Sequence, residues 1–304
     1  MRVVFMGTPD FAVPSLRALA AAHEVTLVLT RPDAVRGRGR KLVPSPVKEA
    51  ATELDLPVCE ATRITDEVFS ALEDARPDVI CVAAFGCLLP DRVLALAPLG
   101  CVNVHASLLP RWRGAAPIQR AVLEGDERAG VSIMEVVHEL DAGAYCRQAS
   151  VEVGEKDCAT VMSELAELGA RELLAALPTL ADGTVAWTAQ DEAKVTYAAK
   201  VDKAEMRLDP ADDALRNVRR VRASLDAAPA RLLVGGKGIR ALAAHVTDEV
   251  LEAGEVRVRK GHVTLGCARG SLELDRVKPD GKREMETASW AAGLRGDGLT
   301  WERA

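Results

Sequence analysis

The chain has few aromatic residues and no long apolar run. Phe, Trp and Tyr make up 3% of its 304 residues, so Ala, Val and Leu must fill any core. No stretch approaches the roughly 20 apolar residues that a membrane helix needs. The apolar run at residues 3–6 is also too short for the core of a signal peptide. We therefore expect a globular cytoplasmic protein that does not bind membranes.

Two further absences exclude common cofactor classes. The seven cysteines are odd in number, and no two have zinc-finger spacing, so we expect neither a disulfide framework nor a bound metal. Cys81 and Cys101 lie in apolar runs, which is typical of small core residues. The first turn, GTPDFAVP at residues 7–14, lacks the G-x-G-x-x-G pattern of dinucleotide binding. A nicotinamide or flavin cofactor is therefore not expected.

Apolar strands alternate with amphipathic helices over the first part of the chain. This pattern predicts a doubly wound α/β fold, with a parallel sheet covered by helices on both faces. Ligands of such sheets bind at the carboxyl ends of the strands. The predicted strands span residues 2–6, 24–30, 57–59, 78–84, 101–104, 131–137 and 145–153. The predicted helices span residues 13–22, 46–55, 65–75 (capped by Thr65), 90–96, 117–124 and 157–181.

The alternation of strands and helices stops near residue 186, where polar residues become more frequent. A helix at 211–223 and several short strands separated by glycines follow, which predicts a small β-barrel of the oligonucleotide-binding type. The sequence thus predicts a catalytic α/β domain at 1–185, a linker at 186–203 and a barrel domain at 204–304.

Charge is distributed unevenly along the chain, whose net charge is −6. Between residues 31 and 48 lie the basic residues Arg31, Arg36, Arg38, Arg40, Lys41 and Lys48, opposed within that stretch only by Asp33. Such an island on an acidic protein fits either a polyanionic partner or a solvated loop.

Polar side chains gather at the end of one buried strand. Asn103 and His105 alternate there and so share one face. Asp141, in a turn farther on, could orient the imidazole and favour its protonated form, while an amide can donate to an oxyanion. This set suggests acyl transfer in which the substrate supplies the nucleophile. The competing nucleophile, Ser107, lacks the G-x-S-x-G elbow, and structural roles for the same residues, such as Asp141 as a turn residue, remain open.

A family resemblance rests on these residues and their neighbours. NVH at 103–105, SLLP at 107–110, RWRGAAPIQ at 111–119 and LDAG at 140–143 resemble, in this order, the tetrahydrofolate-dependent formyltransferases. GTPDF at 7–11, RGRGRKL at 36–42, PSPVK at 44–48, QDE at 190–192 and TYA at 196–198 resemble the members that act on methionyl-tRNA. The likeness covers the first 200 residues closely and the remainder more loosely.

The resemblance implies direct transfer of the formyl group of 10-formyltetrahydrofolate to the α-amino group of methionine on initiator tRNA, without a covalent enzyme intermediate or a metal. Asn103 and His105 would stabilise the oxyanion, and Asp141 would orient His105 and help to accept the amine proton. The implied folate-binding residues are Ser107, Leu108, Leu109, Pro110, Phe85, Gly86 and Leu88. The implied tRNA-binding residues are Arg36, Arg38, Arg40 and Lys41. A monomer is expected.

The sequence departs from the family pattern in three places. Ala106 replaces a common Gly, no acidic residue follows Gly143, and the stretch at 222–232 lacks the usual aromatic residues. The last departure removes stacking partners from the predicted tRNA-binding domain. Two other hypotheses remain: a formyltransferase acting on a small amine, such as glycinamide ribonucleotide or an amino sugar, and a catalytically inert RNA-binding protein.

Overall fold

A computed structural model describes residues 1–35, 42–294 and 298–304. Its contacts divide the chain into two compact units. Unit 1 comprises Met1–Pro117, Arg128–Glu152 and Met162–Ala199, and unit 2 comprises Ile118–Glu127, Val153–Val161 and Lys200–Ala304. Residues 186–199, which the sequence predicted as linker, therefore cluster with unit 1. Among the described residues, none of the helices combines the length and apolar character that a membrane crossing requires.

A seven-stranded sheet forms the centre of unit 1, in the spatial order β10-β9-β7-β6-β1-β2-β5. Its strands are β1 (Arg2–Gly7), β2 (Glu24–Thr30), β5 (Val58–Glu60), β6 (Val79–Ala83), β7 (Cys101–His105), β9 (Arg128–Glu135) and β10 (Tyr145–Glu152). Two short pairs accompany it, β3 (Ala34–Val35) with β4 (Leu42–Val43), and β8 (Arg113–Gly114) with β11 (Tyr197–Ala198). Its helices are α1 (Val13–Ala22), α2 (Pro46–Glu53), α3 (Asp66–Asp74) and α4 (Asp91–Leu94). Helices α5 (Pro117–Glu124) and α6 (Cys158–Ala181) contain residues of both units.

Helices cover both faces of this sheet, as predicted. Val4 and Cys101 pack in one apolar cluster with Leu72 of α3 and residues of α4. Val104 lies on the opposite face of β7 from Cys101. Gly169 of α6 packs against Val104 so closely that a Cβ added to Gly169 would lie 2.6 Å from Val104 Cγ1. The fold class predicted from the alternating pattern is thus confirmed.

The sheet is mixed, however, and the prediction of a wholly parallel sheet is wrong at one edge. Strands β5, β2, β1, β6 and β7 run parallel, but β9 pairs antiparallel with β7, and β10 pairs antiparallel with β9. Only nine residues join β9 to β10, which is too short for the crossover that parallel neighbours require. Hydrophobic patterning does not encode strand direction, so the edge was mispredicted.

Helix starts follow their capping residues. The Thr65 hydroxyl accepts from the Val68 amide at 3.4 Å, which confirms its predicted role as cap of α3. The helix predicted at 211–223 instead spans Ala214–Arg222, because the Asp213 carboxylate accepts from the Arg216 amide at 2.6 Å and starts it there. We label this helix α7.

Unit 2 contains an antiparallel sheet in the order β14-β15-β16-β13-β12-β18, with β17 beside β16. These strands are β12 (Arg231–Val234), β13 (Lys237–Thr247), β14 (Val256–Arg259), β15 (His262–Gly266), β16 (Ser271–Pro279), β17 (Met285–Glu286) and β18 (Trp301–Glu302), accompanied by helix α8 (Thr287–Ala291). A bridge between Glu255 and Thr300 joins the two ends of this sheet, next to β14 and β18. The sheet thereby closes into the predicted barrel.

The barrel core depends on one large aromatic residue among smaller aliphatic ones. Trp301 is buried, and its indole Nε1 donates to the Gly266 carbonyl at 2.8 Å. In unit 1, Cys81 and Cys101 are buried as predicted, and burial raises the pKa of the Cys101 thiol to about 12. Such thiols are inert packing groups near neutral pH.

Candidate active site

The site begins on β7, whose neighbours are β6 and β9. Asn103 is in register with Val82 of β6 and Met134 of β9, and His105 lies two residues farther along the same face. Asn103 is half-buried, and within the described residues its side-chain amide makes no hydrogen bond. A half-buried amide without a protein partner is available to a ligand.

The imidazole of His105 is oriented by a backbone carbonyl. Its Nε2 lies 3.0 Å from the Trp112 carbonyl, which can only accept, so this nitrogen carries a hydrogen. The other ring nitrogen, Nδ1, lies 3.7 Å from Asp141 Oδ1. That distance exceeds a hydrogen bond but suits an ion pair when the ring is charged. The structure thus brings together His105 and Asp141, as predicted, and leaves Nδ1 as the nitrogen that can reach a substrate.

Asp141 lies in the turn after β9 and is held by backbone contacts. Its Oδ2 accepts from the Gly114 amide at 2.9 Å, which leaves Oδ1 directed toward His105. Its φ of 51° is in the left-handed region, which Asp tolerates better than most residues. Gly143 closes the turn, because a Cβ there would lie 2.0 Å from the Glu135 carbonyl oxygen. The turn therefore needs glycine for close approach.

Sequence reasoning missed a second set of residues behind Asp141. Gln190 Nε2 donates to the carbonyls of Asp141 and Gly143 at 2.8 and 2.7 Å. Its Oε1 accepts from Arg113 Nε at 2.9 Å, and the Arg113 guanidinium pairs with Glu192 at 2.7 Å. The blocks at 111–119 and 190–192 supported the family resemblance, but neither carries a sequence signal for contact with the Asp141 turn, which lies 27 residues from Gly114 and 49 from Gln190.

Residues 107–110, predicted to bind folate, form a loop fastened to the sheet. The Ser107 hydroxyl donates to the Arg111 carbonyl at 2.6 Å, and the Ser107 carbonyl accepts from Ser132 Oγ at 2.6 Å. Leu109 is buried, its amide donates to Ser132 Oγ, and its carbonyl accepts from Gln148 Nε2. Because the Ser107 hydroxyl is engaged in this hydrogen bond within the loop, the geometry disfavours Ser107 as a nucleophile.

The remaining loop residues differ in exposure. Leu108 packs over Gly130, where an added Cβ would lie 2.5 Å from Leu108 Cδ2. Leu108 and Pro110 are partly exposed, whereas Leu109 is buried. Side-chain contact with a ligand is therefore open to Leu108 and Pro110 but not to Leu109.

Phe85, Gly86 and Leu88, also predicted to bind folate, follow the end of β6. Phe85 is buried and packs in the apolar core cluster. Gly86 is exposed, with a φ of 71°, and its carbonyl accepts from the Arg31 guanidinium. Leu88 is largely exposed. That these three residues line the folate pocket stays a prediction, and Leu88 is the most exposed side chain among them.

The basic residues between 31 and 48 do not all carry a positive charge that is available to a partner. Lys48 pairs with Asp33 at 2.7 Å and with Glu60 at 3.0 Å, and these carboxylates raise the pKa of Lys48. Arg31 is bound to the backbone near Gly86. These two cations therefore serve local structure. The predicted tRNA-binding residues Arg36, Arg38, Arg40 and Lys41 lie outside the described residues.

One set of described residues could hold a metal ion, and it belongs to the unit 2 sheet. The ligand atoms of His245, Glu273 and Asp275 lie within 4.8 Å of one another. His245 Nδ1 already faces the Asp275 carboxylate at 3.0 Å, and His262 Nδ1 faces Glu273 at 2.5 Å. The two histidines and Asp275 are exposed, Glu273 is partly buried, and each carboxylate already faces a histidine, so we assign no ion to them.

Family comparison gives two matches. A family described as formyl transferase matches residues 1–177, and one described as formyl transferase, C-terminal domain, matches residues 200–295. The methionyl-tRNA formyltransferase of Methylococcus capsulatus is 45% identical over 290 residues, which cover 94% of each chain.

Solved structures share the fold. HypX from Aquifex aeolicus, in complex with tetrahydrofolic acid, superposes with a TM-score of 0.66 at 18% identity, over 99% of this chain and 50% of that protein. Methionyl-tRNA formyltransferase from Clostridium thermocellum gives 0.56 at 13% identity, over 82% of this chain and 94% of that one. At these identities the superpositions establish the architecture alone.

Proposed function

The chain belongs to the formyl transferase family, and we propose that it transfers the formyl group of 10-formyltetrahydrofolate to the α-amino group of methionine on initiator tRNA. The relatives that it matches along almost its whole length are named for this activity. The observation that carries the chemistry is the grouping of Asn103, His105 and Asp141 at the carboxyl end of β7, where the nearby Ser107 hydroxyl hydrogen-bonds within its own loop.

The proposed step is a direct transfer whose atoms balance. The neutral α-amino nitrogen attacks the formyl carbon, a C–N bond forms, and the bond from that carbon to N10 breaks. The amine loses one proton and N10 gains one, so no further reactant is needed. Because only the neutral amine attacks, a nearby proton acceptor accelerates the step.

Each of the three residues has a role in this step. The Asn103 amide, which is free of protein partners among the described residues, donates to the formyl oxygen as negative charge develops there. His105 Nδ1 supplies the second donor while Nε2 remains on the Trp112 carbonyl. Asp141 Oδ1 faces the same nitrogen, stabilises its charge and accepts the proton that the amine loses.

Substrate binding is assigned to the loops at the carboxyl ends of the strands. We place the folate against residues 107–110 and 85–88, where Leu108, Pro110 and Leu88 offer the most exposed side chains. We place the tRNA acceptor end on Arg36, Arg38, Arg40 and Lys41 and its body on the barrel. A charged tRNA substrate locates the reaction in the cytoplasm, and we propose a monomer as the active form, because one chain supplies every group named.

The first test compares formyl acceptors. Formyl transfer from 10-formyltetrahydrofolate is measured with methionyl initiator tRNA, methionyl elongator tRNA and glycinamide ribonucleotide. We expect transfer to the initiator tRNA alone. Transfer only to the small amine would overturn the tRNA assignment while retaining the chemistry, and no transfer to any acceptor would support the inert RNA-binding hypothesis.

A second test addresses the basic loop. Arg38→Ala should weaken tRNA binding and reduce the slope of its salt dependence by about one. Arg17→Ala is the matched control, because it removes an exposed positive charge that pairs Arg17 of α1 with Glu53 of α2. Unchanged tRNA affinity in Arg38→Ala would contradict the loop assignment.

A further inference from the structure

We propose that Gln190, held in place by Arg113, is a positioning residue that sets the orientation of Asp141. The inference rests on the proposed function for its reaction, although its geometry involves unit 1 alone. Neither residue touches the reacting atoms. Both lie behind the Asp141 turn, so they would act on the transfer only through the carboxylate.

The hydrogen-bonding capacity of the Gln190 amide is fully assigned to this turn and to Arg113. Both Nε2 hydrogens are used, one on the Asp141 carbonyl at 2.8 Å and one on the Gly143 carbonyl at 2.7 Å. Carbonyls only accept and a guanidinium only donates, so the amide can adopt just one of its two orientations. Arg113 Nε, 2.9 Å from Gln190 Oε1, therefore determines which way the donors point.

These bonds act on a residue whose backbone conformation is unfavourable. A left-handed φ is unfavourable for a residue that carries a Cβ, so the surroundings must hold Asp141 at its φ of 51°. Gln190 holds the carbonyls on either side of Ala142, and the Gly114 amide holds Oδ2 at 2.9 Å. With backbone and Oδ2 both held, Oδ1 has one direction left, toward His105.

Arg113 is well suited to this supporting role. Its side chain is 4% exposed, and its charge is balanced by the largely exposed Glu192 at 2.7 Å. Its backbone amide donates to the Thr196 carbonyl at 2.9 Å, and the Trp112 amide donates to Thr196 Oγ1 at 3.0 Å. The segment 190–198 thus holds both the Asp141 turn and the loop that carries the Trp112 carbonyl.

The decisive variant is Gln190→Glu. It keeps the side-chain shape and an oxygen for Arg113 but replaces both N–H donors with an acceptor that faces two carbonyls. We expect kcat for formyl transfer to fall about 10- to 100-fold, because small displacements of a catalytic group have large effects on rate. KM for 10-formyltetrahydrofolate should change less than about two-fold, since no folate contact is altered. The matched control is Asp191→Asn, an exposed neighbour in the same segment, which should leave kcat unchanged.

A double-variant cycle separates positioning from general loosening of the fold. In an Asp141→Asn background, Gln190→Glu should lower kcat by less than about two-fold further, because its effect passes through the carboxylate already removed. Equal fractional losses in both backgrounds, or a full kcat in the single variant, would overturn the proposal. If the Glu variant does not fold, Gln190→Leu, similar in size and without donors, provides the same comparison.

A readout without substrate keeps this proposal independent of the reaction assigned above. The ¹⁵N chemical shifts of the His105 imidazole report which ring nitrogen carries the hydrogen, and His105→Gln identifies its signals. Gln190→Glu should move the Nδ1 signal, and Asp191→Asn should not. Unmoved signals in Gln190→Glu would refute the positioning role. Moved signals in a protein that formylates no acceptor would refute only the proposed function.

Discussion

The two units each contain a histidine beside an aspartate, and the two pairs differ in an instructive way. In unit 1, His105 and Asp141 are 3.7 Å apart, with side chains 6% and 13% exposed. In unit 2, His245 and Asp275 are 3.0 Å apart, with side chains 50% and 42% exposed. The shorter contact thus belongs to the solvent-exposed pair, so the distance between a histidine and an aspartate does not by itself identify a catalytic site.

The difference arises from what surrounds each pair. His105 is held by the Trp112 carbonyl and Asp141 by the Gly114 amide, so neither can turn to satisfy the other. His245 and Asp275, on β13 and β16, hydrogen-bond each other directly. A pair held apart by its neighbours keeps its proton-transfer capacity for a substrate. A satisfied surface pair contributes little beyond a weak ion pair.

The largest expected effect comes from neutralising the buried pair. Asp141→Asn keeps the size of the side chain but removes its charge and its ability to accept a proton. We expect kcat for formyl transfer to fall about 10²- to 10⁴-fold, the range typical of general acid–base groups. Single-turnover kinetics at saturating folate would measure it. A loss below ten-fold would place the essential proton acceptor elsewhere.

A smaller but clear effect is expected from disturbing the turn without touching its charge. Gly143→Ala places a Cβ 2.0 Å from the Glu135 carbonyl oxygen, so the Asp141 turn must shift. We expect kcat to fall about 10- to 100-fold, because the displaced carboxylate no longer faces His105 correctly. Gly293→Ala is the control, since Gly293 does not have a left-handed φ and a Cβ there would meet the Trp290 carbonyl oxygen only at 3.5 Å. Equal kcat values for the two variants would show that the turn tolerates displacement.

Residues close together in sequence were predicted well, whereas contacts across the fold, apart from that of His105 with Asp141, were predicted poorly. The bounds of α1 and β2 agree with the prediction, and alternation alone placed Asn103 and His105 on one face. The segment 190–198 resembled a linker, because it is polar and Tyr197 is exposed. Its order comes from hydrogen bonds to residues 112–116, which no local pattern reveals. The contact of Gln190 with Asp141 likewise depends on the folded chain.

A third prediction concerns a carboxylate in unit 2 with a purely structural role. Asp213 caps α7, and the Arg216 amide, followed by Arg269, lowers the pKa of its carboxyl. Its ionised form therefore stabilises the fold above the ordinary value of 3.8, and this contribution is lost as pH falls through the lowered folded value. Asp213→Ala should reduce the free energy of unfolding by about 1 kcal/mol at pH 7.

The measurement for Asp213 is urea unfolding of wild type and variant from pH 7 down to pH 3. The difference between the two proteins should be constant near neutrality and shrink at the acidic end. Asp213→Asn, which retains a capping oxygen, should lose only part of this stability. A difference that grows on acidification would contradict the assigned sign.

The smallest effect on activity and stability is expected from an Asp→Asn substitution in the exposed pair of His245 and Asp275, the same substitution as in Asp141→Asn. Asp275→Asn removes the charge facing His245, yet both side chains are exposed, so solvent can replace the lost contact. We expect the free energy of unfolding to change by less than about 0.5 kcal/mol and kcat to stay within about two-fold of wild type. Urea unfolding at two salt concentrations would measure the stability change, and the initiator tRNA assay would measure kcat.

A large loss of formyl transfer in Asp275→Asn would show that this surface of unit 2 takes part in the reaction. The contrast between His105 and Asp141, which neighbouring groups hold apart, and His245 and Asp275, which hydrogen-bond each other, would then no longer separate catalytic from structural residues in this protein.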